Sequence, residues 1–513
     1  MNQKRTRQSV RLAWLAALLL LAAAMPLKHV NGAEGNKVRT AAVAGAFYPG
    51  DAQQLTAMMD QMLAAAKLPA IDGNILAAVA PHAGYVYSGP VAAYTYAALR
   101  GHTYKRIVVI APSHFIGFDF TSVYDGDAYS TPLGEIPVDK DFAHKLARMN
   151  TSIQLSGTGH TPTQAGGEHA LEVQLPWLQH TVGSFQLVPI VMGDQGYEAS
   201  RALGMALYKL ISEEKKHGEI GETLVLASSD MSHYHPYNDA VSIDRKTLGA
   251  LQAWDYYSMS RNFETRVWEA CGGAPIVAAM IYAERMGANR AQVLKYANSG
   301  DTAGDKSRVV GYGAEVFVQS AHKAEAEPPF SLTVDEKKEL LSIARKSVES
   351  AVSQRKNYEP EPTKSEKLST EYGAFVTLTK AGQLRGCIGY VAAMKPLYQT
   401  VRDTATFAAL RDPRFPAVTP DELPDLEYEV SVLSPLRRVQ NVEQIVVGRD
   451  GLLMKNEGSE GLLLPQVPGE FGWDRKTFLE QTCQKAGLGR NCWKEEDTDI
   501  FSFTAVVFNE KHL

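Results

Sequence analysis

The chain has 513 residues, a formal net charge of −5 and a hydrophobic share of 45%. Both signs of charge are interspersed and no basic block follows the first residues, which argues against nucleic acid as a partner. Four cysteines are too few for a disulfide scaffold of this length, and about 100–200 residues per domain predicts two or more domains.

Lys4, Arg5, Arg7 and Arg11 form a basic head, residues 12–27 are apolar, and small residues surround Gly32 and Ala33. This order predicts a signal peptide over residues 1–33 and export to the periplasm or the exterior. The alternative is an uncleaved helix anchoring the protein to a membrane, for which the apolar run is shorter than the roughly 20 residues usually needed.

Residues 38–319 alternate strand-like and helix-like stretches and read as one α/β domain. The apolar run 75–79 leads into a polar loop, residues 80–89, that carries His82, and residues 90–99 read as a helix. The pattern returns at residues 106–110, which end in Pro112, Ser113 and His114, and at residues 223–227, which end in Ser228, Ser229, Asp230 and His233. If these three strands share a sheet, their polar residues meet in one pocket at its carboxyl end. Glu168 and His169 follow a Gly pair and lead into what reads as a helix start, where a carboxylate favours the helix dipole. Cys271 precedes the apolar helical run 276–282, and a helix amino end lowers a thiol pKa. Each residue alone suits a plain structural role equally well; their recurrence at strand ends points to a metal or acid/base site.

Residues 320–330, charged and rich in Ala and Pro, read as a linker. The second domain, residues 331–513, opens with a helix over 331–352 capped by Ser331, and continues with short strands at 373–378, 427–433 and 501–508, as in an α+β fold. Within residues 384–390 two glycines flank Cys387, which predicts a bulge or a close backbone approach, and Arg385 offers a fork for a carboxylate or phosphate. Should export allow a disulfide, Cys483 and Cys492 are the pair that shares one short stretch.

The runs Ala80-Pro81-His82-Ala83-Gly84-Tyr85, Pro112-Ser113-His114, Glu168-His169 with Glu172, Ser228-Ser229-Asp230 with His233, and Cys271-Gly272 resemble, in order and spacing, the motifs of the Memo family. The resemblance covers nearly all of residues 40–318 and implies an α/β fold related to class III extradiol dioxygenases, which use Fe(II). It implies metal ligands at His82, His114 and Cys271, with Asp230, His233 and His169 in the same pocket as acid/base and orienting residues. Ser88 and Ser232 stand where Memo sequences can carry cysteine. Two imidazoles and a thiolate leave coordination positions open, which suits Fe(II) first, with Cu or catalytic Zn as alternatives.

Leu384-Arg385-Gly386-Cys387-Ile388-Gly389, followed by Arg411-Asp412-Pro413-Arg414-Phe415, resembles the AMMECR domain, over about residues 332–510. Arg385, Cys387, Asp412 and Arg414 are its groove candidates. Together the two resemblances imply a fusion of the B and A components of the AmmeMemoRadiSam system, whose radical S-adenosylmethionine protein would be a separate partner, since no Cys-x3-Cys-x2-Cys motif is present. The function so implied is a metal-dependent redox enzyme acting on a small molecule or a protein residue. Alternatives are a non-catalytic metal- or peptide-binding adaptor and, third, a Zn-dependent hydrolase.

Overall fold

The computed structural model describes residues 37–162, 167–217, 222–321, 330–456 and 458–511. The expected signal segment, residues 1–33, lies outside them, as does nearly all of the expected linker. Among the described residues no helix is long and apolar enough to cross a membrane.

Four neighbouring parallel strands set the first domain: β1 (Asn74–Ala80), β2 (Arg106–Pro112), β3 (Gln186–Met192) and β4 (Thr223–Ser228), in the spatial order β1-β4-β2-β3. Every residue of β2 and β4 is buried, as expected of strands covered on both faces. Strand β5 (Val309–Gln319) runs antiparallel beside β1, and shorter strands extend the sheet to nine. The register sets Ala80 opposite Ser228 and Val108 opposite Val225, so β1, β4 and β2 end side by side. The three polar strand ends read from the sequence therefore do converge.

Helices α1 (Tyr85–Leu99) and α2 (Gln174–Thr181) pack on one face of the sheet. Helices α3 (Tyr197–His217), α4 (Tyr256–Glu264) and α5 (Gly273–Arg285) cover the other. Two boundaries differ from expectation. Helix α1 begins at Tyr85 rather than residue 90, and encloses Pro90. Proline tolerates the helical φ, and the carbonyl its missing N–H leaves free belongs to exposed Val86. The helix expected at Glu168 begins only at Gln174, so Glu168 and His169 lie in the irregular stretch before the turn that leads into it.

The second domain is an antiparallel sheet of seven strands with β6 (Ala374–Lys380), β7 (Gln383–Tyr390), β8 (Leu426–Leu433) and β9 (Asp499–Asn509) in the order β7-β6-β8-β9. Helices α6 (Val334–Glu349) and α7 (Leu397–Leu410) share its core. Thr333, not Ser331, caps α6: its hydroxyl and the Glu336 carboxylate close a reciprocal capping box. The glycine reading of β7 holds in both forms. A register shift falls between Leu378 and Thr379 opposite it, and a Cβ on Gly386 would lie 2.1 Å from the Ala408 carbonyl oxygen of α7. Cys483 and Cys492 form a disulfide, and Cys271 and Cys387 are free.

The two domains share a core. Leu433, Leu453, Phe501 and Phe503 belong to one apolar cluster with Tyr256, Met259 and α5, and Phe501 lies 5.8 Å from the rings of both Tyr256 and Tyr257. A buried charge network is set into this contact. Asp499 accepts from Arg201 and Arg285, and Arg438 donates to Glu284 at 2.7 Å. Two guanidinium groups thus depend on one second-domain carboxylate.

Removing that carboxylate takes from two largely buried guanidinium groups the anion that pairs with both. Asp499→Asn is expected to lower stability by about 3 kcal/mol in denaturant unfolding; a change within ~0.5 kcal/mol would mean that the contact is solvated. A second expectation concerns Glu315 of β5, fully buried with neither carboxylate oxygen hydrogen-bonded among the described residues. Burial pushes its pKa up to about 8 from a usual 4.5. The folded state therefore keeps a proton that the unfolded chain loses, and stability falls as pH rises between those values, by up to about 1.4 kcal/mol per pH unit. In Glu315→Gln this contribution is absent, so the stability difference from wild type should grow with pH across that window; a pH-independent difference would show that Glu315 folds already ionised.

Candidate metal centre

At the carboxyl ends of β1 and β2 the chain brings three imidazoles together. The ligand nitrogens of His82, His114 and His169 all lie within 4.8 Å of one another, the one such group among the described residues. Ring centroids are 5.2 Å apart for His82 and His114, 5.5 Å for His82 and His169, and 4.8 Å for His114 and His169. His82 is 2% exposed. His114 and His169 are partly exposed, so the group opens to one side.

Proton accounting fixes the two strand-end histidines. The Ser228 hydroxyl donates its one proton to the Ala170 carbonyl at 2.6 Å and accepts from Gln174 Nε2 at 2.8 Å. It has no proton left for His82 Nδ1, 2.9 Å away, so that nitrogen is the donor and Nε2 carries the free lone pair. His114 Nδ1 is 3.0 Å from Glu168 Oε1, an acceptor, which leaves its Nε2 free as well. Burial, assisted by the neighbouring histidines, holds the His82 pKa well below its ordinary value, and burial pushes that of His169 down to about 4. Neutral imidazoles whose outer nitrogen is already committed are the form that ligates a metal. The donor set fits a bound cation.

Glu168 has more to do than face a helix dipole. Its Oε2 accepts from the His114 amide at 2.6 Å, and its Oε1 from the amides of His169 and Ala170 at 2.9 and 3.0 Å. Burial works to raise its pKa, but the hydrogen bond and charge of His114 with these amides bring it below the usual value. One carboxylate thus positions two of the three histidines.

Cys271 does not join the compact histidine group, yet its Sγ lies 3.0 Å from His82 Nε2 and accepts from the Asp230 amide at 3.3 Å. Gly272 makes this approach possible, since a Cβ there would lie 2.2 Å from the Ser228 carbonyl oxygen. The thiol pKa is raised by burial first and by Asp230 second, against the lowering expected of a helix amino end. Asp230 sits beneath the His82 loop: its Oδ1 accepts from the amides of His82 and Ala83 at 2.7 and 3.3 Å, and burial pushes its pKa up to about 7. His233 lies at the side, where with Cys271, Glu264, Arg266 and Glu269 it lines an open cavity of about 640 Å³.

The second-domain candidates separate. Arg385 is spent on Glu422, at 2.9 and 2.8 Å. Asp412 accepts from the Cys387 amide at 2.8 Å and from Arg414 Nη2 at 2.7 Å, while Arg414 also donates to the Cys387 carbonyl at 3.2 Å. Cys387 and Arg414 line a cavity of about 550 Å³. Burial raises the Cys387 thiol pKa.

Sequence reasoning did not find Gln174 or Ser228 as a relay to His82, or the anchor around Glu172. That buried carboxylate pairs with Arg39 and accepts from Tyr48 at 2.7 Å and the Ala42 amide at 2.8 Å. It ties down the segment that lays Phe47 against His169, with ring centroids 4.6 Å apart. Arg39 carried no signal, because a single arginine in a polar stretch has no motif.

Residues 39–316 match the family described as Memo-like protein, and residues 341–508 match AMMECR1. A MEMO1 family protein of Methanopyrus kandleri is 38% identical over 289 residues, 54% of this chain and 98% of its own length. A MEMO1 family protein of Sulfolobus acidocaldarius is 35% identical over 288 residues, 54% of this chain and 97% of its own length. A protein of Thermococcus kodakarensis is 44% identical over 183 residues, 34% of this chain and 89% of its own length. The crystal structure of an uncharacterized protein from Pyrococcus horikoshii is 40% identical, covers 34% of this chain and 90% of that one, and gives a TM-score of 0.33.

Because Glu168 holds His114 and the amides around His169, Glu168→Gln should weaken metal binding by about 10- to 100-fold. Chelator competition with Zn(II) measures it, and an unchanged affinity would place the metal away from His114.

Proposed function

The chain belongs to the Memo-like proteins through its first domain and continues into an AMMECR1 domain, and from that premise we propose that it is a metal-dependent redox enzyme acting on a small molecule or a protein residue. Iron is the foremost candidate, then copper. The observation that carries the reading is the three-imidazole group within 4.8 Å, with a thiol 3.0 Å from one of its nitrogens. His82, His114 and His169 would hold the metal, with Cys271 beside them as a fourth donor. A thiol whose pKa is raised while protonated becomes an anion once coordinated.

The metal, when bound, supplies the electron transfer that none of these side chains can perform. The chain's own residues do the rest. Glu168 and Ser228 keep the Nε2 atoms of His114 and His82 directed inward. Asp230 fixes the loop of His82 through two amides. Phe47 and Phe115 flank His169 and limit water on that side. His233, at the edge of the cavity that reaches Cys271, is placed to accept or return a proton at its imidazole nitrogen.

A second reading, a binding module without turnover, is favoured by the exposed side chains of Tyr87, Phe115 and Tyr234, which adjoin these loops in sequence and offer apolar surface to a peptide. The third, a Zn-dependent hydrolase, would use the same donors. Export through residues 1–33 is supported by the disulfide between Cys483 and Cys492, which persists in oxidising compartments. A separate radical S-adenosylmethionine protein is the partner suggested by the pairing of the two domains.

Anaerobic purification followed by metal analysis tests the proposal, beside His82→Ala, His114→Ala, His169→Ala and Cys271→Ser. About one Fe or Cu per chain, lost in the His82 and His114 variants and accompanied by O2 uptake with a screened substrate, is the expected result. Loss in the His169 variant and weaker binding in the Cys271 variant are expected of a third ligand and a fourth donor. Metal content indifferent to all four changes would end the reading. Bound metal without turnover would leave the binding module, and O2-independent turnover with Zn alone the hydrolase.

A further inference from the structure

A second candidate cleft lies in the second domain, lined by none of the first domain's motif residues. It encloses about 800 Å³ between the end of α6 and one side of α7, and its lining includes buried Ala351 and Val418. A cleft of that size with an apolar floor suits a small molecule. Its walls are cationic: five basic side chains against two carboxylates. In a chain whose net charge is −5, this local excess runs against the whole.

The two carboxylates are already engaged. Asp403 pairs with Lys395 at 2.6 Å and Arg402 at 2.7 Å, and Glu359 with Arg402 at 2.7 Å. Arg355, Lys356 and Arg411 have no carboxylate partner among the described residues; Arg411 lies over the Phe407 ring at 4.7 Å. Three exposed cations on two separate segments line one concavity and give it a local positive potential that favours an anion there.

The backbone gives an independent reason to regard the cleft as built. Helix α6 passes into a π-helical turn, Ser350–Gln354, and the chain then leaves through Arg355 at φ 54°, left-handed backbone that non-glycine residues seldom adopt. The Ser350 hydroxyl, donating to the Lys356 carbonyl at 3.0 Å, and the Lys356 amide, donating to the Ser350 carbonyl at 3.3 Å, staple this turn. The strained turn places Arg355 and Lys356 at the cleft. A π-helical turn followed by left-handed non-glycine backbone is a pairing that often accompanies functional sites.

We propose that this cleft binds a small, multiply charged anion bearing phosphate or carboxylate groups, held by Arg355, Lys356 and Arg411. Calorimetry on the full chain at low salt tests it, with inorganic tripolyphosphate and citrate as separate probes to distinguish the two anion chemistries. One site per chain is expected for at least one probe, weakened by added salt. Affinity should fall at least about tenfold when Arg355, Lys356 and Arg411 are together changed to Gln. Thr406→Glu, which sets a negative charge in the cleft, should weaken binding similarly and serves if the triple variant does not fold. Binding of neither probe, or binding indifferent to the substitutions, overturns the proposal. So does a result in which only a single-stranded oligonucleotide binds in a cleft-dependent way.

Discussion

A hydroxyl has one proton to give, and where Ser228 sends it decides the chemistry of the histidine pocket. The proton goes to the Ala170 carbonyl, so His82 must donate from Nδ1 and expose Nε2. Gln174 enforces the arrangement by donating to the same oxygen and to the carbonyl of Pro81 at 3.1 Å, which binds α2 to the loop after β1. Glu168 does for His114 what Ser228 does for His82, with a carboxylate in place of a hydroxyl. The pocket is thus defined by acceptors behind the rings as much as by the rings, and those acceptors come from the end of β4 and from the irregular stretch before α2.

Much of this was legible in the sequence. Apolar runs at β1, β2 and β4, each ending in a polar loop, are what a buried parallel sheet requires, and three such ends have few ways to avoid meeting. His82, His114, Asp230 and Cys271 were legible because their loops carry motifs. The position of Glu168 was misread because a Gly pair before an apolar stretch suggests a helix start, whereas six further residues turn back to reach His114 before α2 begins. His169 was placed among acid/base residues, yet its nitrogen falls within the compact imidazole group, a matter of where the rings meet that spacing does not encode. Thr333 replaced Ser331 as cap because only a residue three before Glu336 can close the reciprocal bonds. The contact between domains had no signal at all, since Arg201, Glu284 and Asp499 are far apart in sequence and each resembles an ordinary surface charge.

That contact alters how the halves relate. An alanine-rich linker suggests domains that move independently, whereas Phe501 and Phe503 share a core with α4 and α5, and three arginines are bonded across the seam to two carboxylates. Helix α5 begins just after Cys271 and ends at Arg285, so the helix that starts beside the histidine pocket finishes in the charge network of the second domain. The two regions are joined by one rigid element about 13 residues long.

Strand β7 is the outermost strand of its sheet, and its free edge would ordinarily offer unpaired amides and carbonyls to any passing extended chain. At Cys387 both groups are already answered, the amide by Asp412 and the carbonyl by Arg414, so two side chains stand in for a missing neighbour strand. The sheet is closed there without another strand being spent on it. Such an answered edge gives an extended chain fewer groups to pair with, which lowers the hazard of edge-to-edge aggregation.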